Sequence, residues 1–260
     1  MNVLVFDIET VPDTEHGRRL FGLGADLPDR EVAKAMFAHA RQRSGSDFLP
    51  LEQHRVIAIS CVLRARDSLR VWSLGDLEAG EAELVARFFD GIERYTPDLV
   101  SWNGGAFDLP VLHYRALRHG VQAPRYWETG QEDASFRFNN YISRYHWRHC
   151  DLMDVLSLYQ PRARASLSDM ATLLSLPGKL GFSGDKVWDA YCAGDLAGIR
   201  RYCETDVLNT WLVYLRFQLM RGVLAREEHA AEVRRVRELL AASDEPHLAE
   251  FLAAWPAEGG

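Results

Sequence analysis

The 260-residue sequence predicts an α/β fold, a central mixed sheet flanked by helices. Three observations carry this expectation. Short β-branched, apolar runs cluster in the first hundred residues. One amphipathic helical stretch is interposed among them. Beyond residue 150 the apolar spacing is almost entirely helical. Strands first and helices around them imply a three-layer domain of mixed α/β or α+β type.

The elements follow in order. Asn2-Val3-Leu4-Val5-Phe6-Asp7 reads as a buried strand, residues 55–64 as a second and Leu69–Leu74 as a shorter third. Residues 80–95 place Leu84, Val85, Phe88, Phe89 and Ile92 at helical spacing. Pro97-Asp98 ends that helix, Leu99-Val100-Ser101-Trp102 forms a fourth strand, and Asn103-Gly104-Gly105 a turn. A helix then starts near Asp108, with Pro110 tolerated in its first turn. Later helices are expected over 152–159, 167–175, 195–221 and 226–242.

We read residues 1–260 as a single domain with an insertion at about 11–52 and a helical extension at about 222–260. The insertion contains a helix near 30–43, and a connection of this length suits either a binding loop or family decoration. No further large domain is expected, because the core and its additions use up the chain.

Composition is that of a soluble globular protein, with 47% hydrophobic and 26% charged residues. No apolar run approaches the roughly 20 residues of a membrane span, and the N-terminus lacks signal-peptide features. A cytoplasmic location without membrane contact is therefore expected. The net charge of −7 argues against a protein coated in base. It leaves room for a carboxylate-lined site whose sign bound metals reverse. Cys61, Cys150, Cys192 and Cys203 form no C-x-x-C pair and are expected as buried free thiols.

The chemistry lies in three acidic elements. Asp7 and Glu9 lie two apart at a strand end, so they share one face. Two acids on a buried strand end repel each other, and a cation is the simplest compensation. D-x-E alone, however, arises by chance roughly once in a chain this size. Asp108 follows the fourth strand at a helix start, where an N-cap would serve equally well. Tyr202 and Asp206 lie one helical turn apart on a shared face. Glu204, between them, is expected to face solvent. Asp151 is expected to cap the helix starting at Leu152, and Arg234-Arg235-Val236-Arg237 reads as a solvated helix face.

Taken together, strand-end D-x-E, N-x-x-x-F-D after a strand and Y-x-x-x-D in a late helix resemble the DEDDy group of 3′-to-5′ exonucleases. Ser166-Leu167-Ser168-Asp169-Met170, Pro177-Gly178-Lys179, residues 185–191 and residues 202–210 look like its stand-alone bacterial family, related to the proofreading exonuclease domain of family B DNA polymerases. The resemblance spans about residues 1–10 and 55–220. It implies a ribonuclease-H-like fold with helical insertions and two divalent cations, Mg²⁺ or Mn²⁺. Asp7 would bridge both cations, Glu9 and Asp206 would complete one, and Asp108 would hold the other. Tyr202 would orient the attacking water. Thr10 would lie near the terminal nucleotide, and Asn103 and Phe107 would also bind substrate.

The implied substrate is single-stranded nucleic acid, with DNA favoured, degraded from its 3′ end to 5′-mononucleotides. A 3′-to-5′ exoribonuclease is the rival in chemistry, since nothing readable detects a 2′-OH. A catalytically silent nucleic-acid-binding scaffold is the rival in class. Residues 125–148 are rich in aromatics and bases and suit either strand binding or subdomain packing. No protein partner is visible in the sequence.

Overall fold

A computed structural model describes residues 2–256. In chain order the elements are β1 (Asn2–Pro12), α1 (Thr14–Phe21), α2 (Asp29–Ser44), β2 (His54–Ala65), β3 (Ser68–Ser73), α3 (Glu81–Tyr95), β4 (Asp98–Ser101), α4 (Asp108–His119), α5 (Pro124–Trp127), β5 (His149–Asp151), α6 (Leu152–Leu156), α7 (Leu167–Leu173), α8 (Val187–Cys192), α9 (Leu196–Met220), α10 (Arg226–Ala241) and α11 (Pro246–Ala254). The strands form one sheet in the order β3-β2-β1-β4-β5. β1 is antiparallel to β2 and parallel to β4, so the sheet is mixed, as the sequence predicts.

Alternation along β1 divides the core into two layers. Leu4, Phe6 and Ile8 face α3 and α4, packing with Phe88, Phe89, Ile92, Leu109 and Leu112. Val3 and Val5 face the other way, onto Val207, Leu208, Trp211 and Leu215 of α9. Full burial of side chains this size contributes about 1.5–3 kcal/mol each. α9 is covered on nearly every side, by the sheet, by α7 and by α10 and α11. A helix so enclosed must be apolar all round. The polar residues it does carry therefore need a partner or a function.

The differences from the sequence reading have local causes. β1 runs on to Pro12 because β2 pairs with it throughout, with a register shift between Glu9 and Thr10. β5 has three residues, too few for a periodic signal. α1, α5 and α8 lie outside the predicted helices, being short and packed on neighbours rather than strongly patterned. In the insertion, α1 and α2 form a satellite core around Val32, Met36, Ala40 and Leu49. Asp13 caps α1 and also accepts the buried Arg115 guanidinium at 2.7 Å, fastening the insertion to α4.

Residues 125–148 divide between core and surface, with more of them exposed than buried. Tyr126, Phe136 and Tyr141 are buried in the α3–α4 layer, and the Tyr141 hydroxyl donates to the Pro97 carbonyl. The Arg148 guanidinium lies 3.7 Å over the Phe136 ring. Phe138, Tyr145 and Trp147 remain exposed. Asp151 caps α6 as expected, accepting the Asp154 N–H. Of the basic run, Arg234 is solvated, whereas Arg235 donates to the Asp67 carbonyl and Arg237 lies over Trp255. The extension is also tied to β2 by the Arg64–Glu232 pair at 2.7 Å. Among the described residues the cysteines are free, three buried and Cys192 half-buried. No described helix is long and apolar enough to cross a membrane.

Candidate active site

The odd-numbered face of β1 that carries Val3 and Val5 continues into Asp7 and Glu9. Both carboxylates therefore turn toward α9. There Cys203 brings its Sγ to 3.4 Å from Asp7 Oδ2. Ligand atoms of Asp7, Glu9 and Cys203 lie within 4.8 Å of one another. Asp206 comes from the next turn of α9 and is buried.

Asp108 reaches the same strand from the opposite layer. It is the first residue of α4, and its Oδ1 accepts the Ile8 backbone N–H at 3.1 Å. Its side chain thus does not cap its own helix. The preceding turn is fixed by Asp151, which accepts the Asn103 and Gly105 N–H groups at 2.9 Å each. Asn103 adopts a left-handed conformation, which asparagine tolerates. A Cβ on Gly104 would collide with Ser101, so only glycine fits this close approach.

The electrostatics follow from placing these acids together. Burial, reinforced by Asp108, Glu9 and Asp206, holds the Asp7 carboxyl well above the ordinary carboxylate range. Burial with Asp206 and Asp108 does the same to Glu9, opposed by Lys179. Burial pushes Asp108 up to about 7 against the Ile8 hydrogen bond, and Asp206 to about 6 against Tyr202 and Lys179. Asp206 Oδ1 is buried without a hydrogen-bond partner among the described residues. A set of hard oxygens that repel one another and leave one oxygen unpartnered fits divalent cations of the Mg²⁺ or Mn²⁺ class.

Tyr202 lies one turn before Asp206 and hydrogen-bonds with it. Burial, then the charges of Asp206 and Glu9, raise its phenol far above the usual tyrosine range. Its ring packs 4.9 Å from Phe182, with Lys179 Nζ 5.6 Å from its centre. Asn209 of α9 holds the Lys179 loop by accepting the Gly178 N–H and donating to its carbonyl, each at 3.1 Å.

Beside Glu9 opens a cavity of about 590 Å³, lined by Glu9, Thr10, Phe48, His54, Phe107 and Trp188 among others. Thr10 Oγ1 meets His54 Nδ1 at 2.8 Å, and the Phe48, His54 and Phe107 rings lie within 5.6 Å of one another. Thr10 and Phe107 thus share this cavity with Glu9, whereas Asn103 does not line it. A larger recess of about 740 Å³ near Asn2 and Arg66 lies at the other end of β1 and contains none of the four acids.

Sequence reading missed Cys203, Lys179, Phe48 and His54. Cys203 and Lys179 stand inside the quoted motifs, beside Tyr202 and within Pro177-Gly178-Lys179. Phe48 carries no signal because the insertion's path is not readable, and His54 none because its partner Thr10 lies 44 residues away. Glu204 corrects an expectation. It is held away from solvent, accepting from Ser73 Oγ at 2.6 Å and lying 2.7 Å from His247 Nε2.

A family profile described as "Predicted 3'-5' exonuclease related to the exonuclease domain of PolB" matches residues 46–255. Asp7 and Glu9 lie outside that match, so their place in the site rests on geometry. Among solved structures, the family B DNA polymerase from the hyperthermophilic archaeon Pyrobaculum calidifontis is similar, with a TM-score of 0.52 at 15% identity. The similarity covers 97% of this chain and 27% of the polymerase chain. At that identity it shows a shared ribonuclease-H-like fold. No curated protein matches the chain.

Proposed function

Because the chain belongs to the family of predicted 3′-5′ exonucleases related to the exonuclease domain of PolB, we propose that it is a DEDDy-type exonuclease. It degrades single-stranded DNA from the 3′ end and releases 5′-mononucleotides. Asp7, Glu9, Asp108 and Asp206 would hold two divalent cations, Mg²⁺ or Mn²⁺. Bound there, these cations would neutralise the scissile phosphate and acidify the attacking water. The observation that carries this reading is the convergence of four mutually repelling acids, with the Asp206 Oδ1 buried and unpartnered.

Tyr202 stays protonated at neutral pH, so it orients the attacking water by hydrogen bonding and does not remove its proton. Lys179 sets a positive charge beside Glu9 and Asp206, easing the approach of a phosphodiester. The cavity beside Glu9 accepts the terminal nucleotide, with Thr10, Phe48 and Phe107 against its sugar and base. Asn103 acts through the turn that presents Asp108. The whole chain serves as one domain, the insertion walling the cavity and the C-terminal helices backing α9. Residues 257–260 of that extension lie outside the described residues.

The test is a 5′-labelled oligonucleotide panel with Mg²⁺ or Mn²⁺. The expected result is a ladder shortening from the 3′ end, with mononucleotide products and faster loss of DNA than of matched RNA. Binding without any release of nucleotide would reject the enzyme in favour of a silent scaffold. Faster loss of RNA would make it an exoribonuclease.

A further inference from the structure

A polar row crosses the face of the sheet beneath α9, beside the buried Val3, Val5 and Val62. Asp7, Ser60 and Ser73 are cross-strand partners on β1, β2 and β3, so their side chains share that face. Ser60 and Ser73 are buried, with their Oγ atoms 2.8 Å apart. Ser73 Oγ donates to Glu204 Oε1 at 2.6 Å, and Glu204 Oε2 meets His247 Nε2 of α11 at 2.7 Å. At the other end, the fully buried Cys203 contacts Ser60 and donates its S–H to Asp7 Oδ2.

Each hydrogen of the row finds an acceptor, and Ser60 meets Cys203 by packing alone. Ser73 donates to Glu204, which leaves Ser60 to donate to Ser73 and Cys203 to donate to Asp7. Arg200, one turn before Glu204, fixes α9 over β3 by donating to the carbonyls of Ser73, Leu74, Gly75 and Asp76. Buried polar side chains persist where they are paired, and here hydrogen bonds run from the C-terminal extension to Ser60, which packs against Cys203, the donor to one acid of the site. Asp7 is repelled by three neighbouring acids, so a donor that holds its carboxylate has an orienting effect.

We propose that Cys203 is a positioning residue for Asp7, and that the row through Ser60, Ser73 and Glu204 to His247 makes α11 part of the support of the metal site. This rests on the reading of Asp7 as a metal ligand. Outer partners of ligating groups are where geometry is set without direct contact with metal or substrate.

The experiment titrates Mn²⁺ against thermal unfolding of the full chain and measures kcat and KM on a single-stranded DNA oligonucleotide. Cys203→Ala should raise the Mn²⁺ concentration for half-maximal stabilisation about 10-fold and lower kcat to a similar extent, with KM little changed. Cys203→Ser keeps a donor and should restore both. His247→Phe should raise the Mn²⁺ requirement in the same direction. Leu248→Ala, which loosens the same helix without touching the row, should lower the melting temperature and leave the requirement unmoved. An unchanged requirement in Cys203→Ala overturns the proposal, as does Leu248→Ala matching His247→Phe. If Mn²⁺ fails to stabilise the unaltered protein, the metal-site reading falls, and this proposal with it.

Discussion

The carboxylate of Asp108, at the head of α4, accepts the backbone N–H of Ile8 in β1 at 3.1 Å. Ile8 stands between Asp7 and Glu9, so this bond brings the third acid to the strand that carries the first two. It also separates the two roles of the side chain. Asp108→Asn retains a carbonyl acceptor for Ile8 and removes the charge. In EDTA at pH 7.5 it should match or exceed the unaltered protein in stability, because a buried, repelled carboxylate is gone. Asp108→Ala leaves the Ile8 N–H unpaired and should lose about 1–3 kcal/mol. Both should lose hydrolysis. Urea unfolding in EDTA separates the two variants, and equal destabilisation by both would contradict the division of roles.

Metal stabilisation should grow with pH. The folded-state values of Asp108, about 7, and Asp206, about 6, lie above the ordinary 3.8. In EDTA the native state therefore keeps protons that the unfolded chain releases. The stability this gives is complete near pH 4 and is lost as pH rises through 6 and 7. Cations compete with those protons for the same oxygens, so the Mn²⁺-induced gain should increase from pH 5 to 7.5. Burial lowers His113 and His149 to about 4, which gives the opposite slope in total stability. That contribution is common to both conditions and cancels in the difference. A Mn²⁺ gain that is flat between pH 5 and 7.5 would count against the acid cluster as the binding site.

Asp7→Ala and Asp206→Ala should each lose most of the Mn²⁺ stabilisation, whereas Tyr202→Phe should keep it. The phenylalanine variant preserves the ring contact with Phe182 but removes the hydroxyl beside Asp206. With only the orientation of the water affected, kcat should fall roughly 10²-fold. Thermal shifts and single-turnover rates on one oligonucleotide read both quantities. Loss of metal stabilisation in Tyr202→Phe would move the phenol from water orientation to metal support.

The parts of the site that were legible in the sequence are those whose geometry is local. Period two puts Asp7 and Glu9 on one face, and one helical turn puts Tyr202 beside Asp206. The strands and the α3 stripe were legible for the same reason. Partnerships across the sheet were not. Glu204 looked solvated because nothing near it in sequence pairs with it; its partners come from β3 and from a helix 43 residues on. Asp108 looked like a cap because its acceptor role is met 100 residues away. The aromatics of 125–148 divide between core and surface, and composition alone does not separate the two.

Phe48 gives the insertion a role in the proposed reaction that can be measured. It comes from the loop after α2, is 59% exposed, and faces the Phe107 ring at 5.6 Å across the cavity beside Glu9. An exposed ring held against another, next to the acids, is a surface on which a terminal base can stack. Stacking on an aromatic contributes about 1–3 kcal/mol per base. Phe48→Ala should therefore raise KM for single-stranded DNA about 5-fold or more, by the same estimate. An oligonucleotide whose 3′-terminal residue is abasic should show little of this effect, because the base that would stack is missing. Stability should change by less than about 0.5 kcal/mol at so exposed a position. Equal KM increases for the two substrates would mean that Phe48 acts on the shape of the cavity and not on the base.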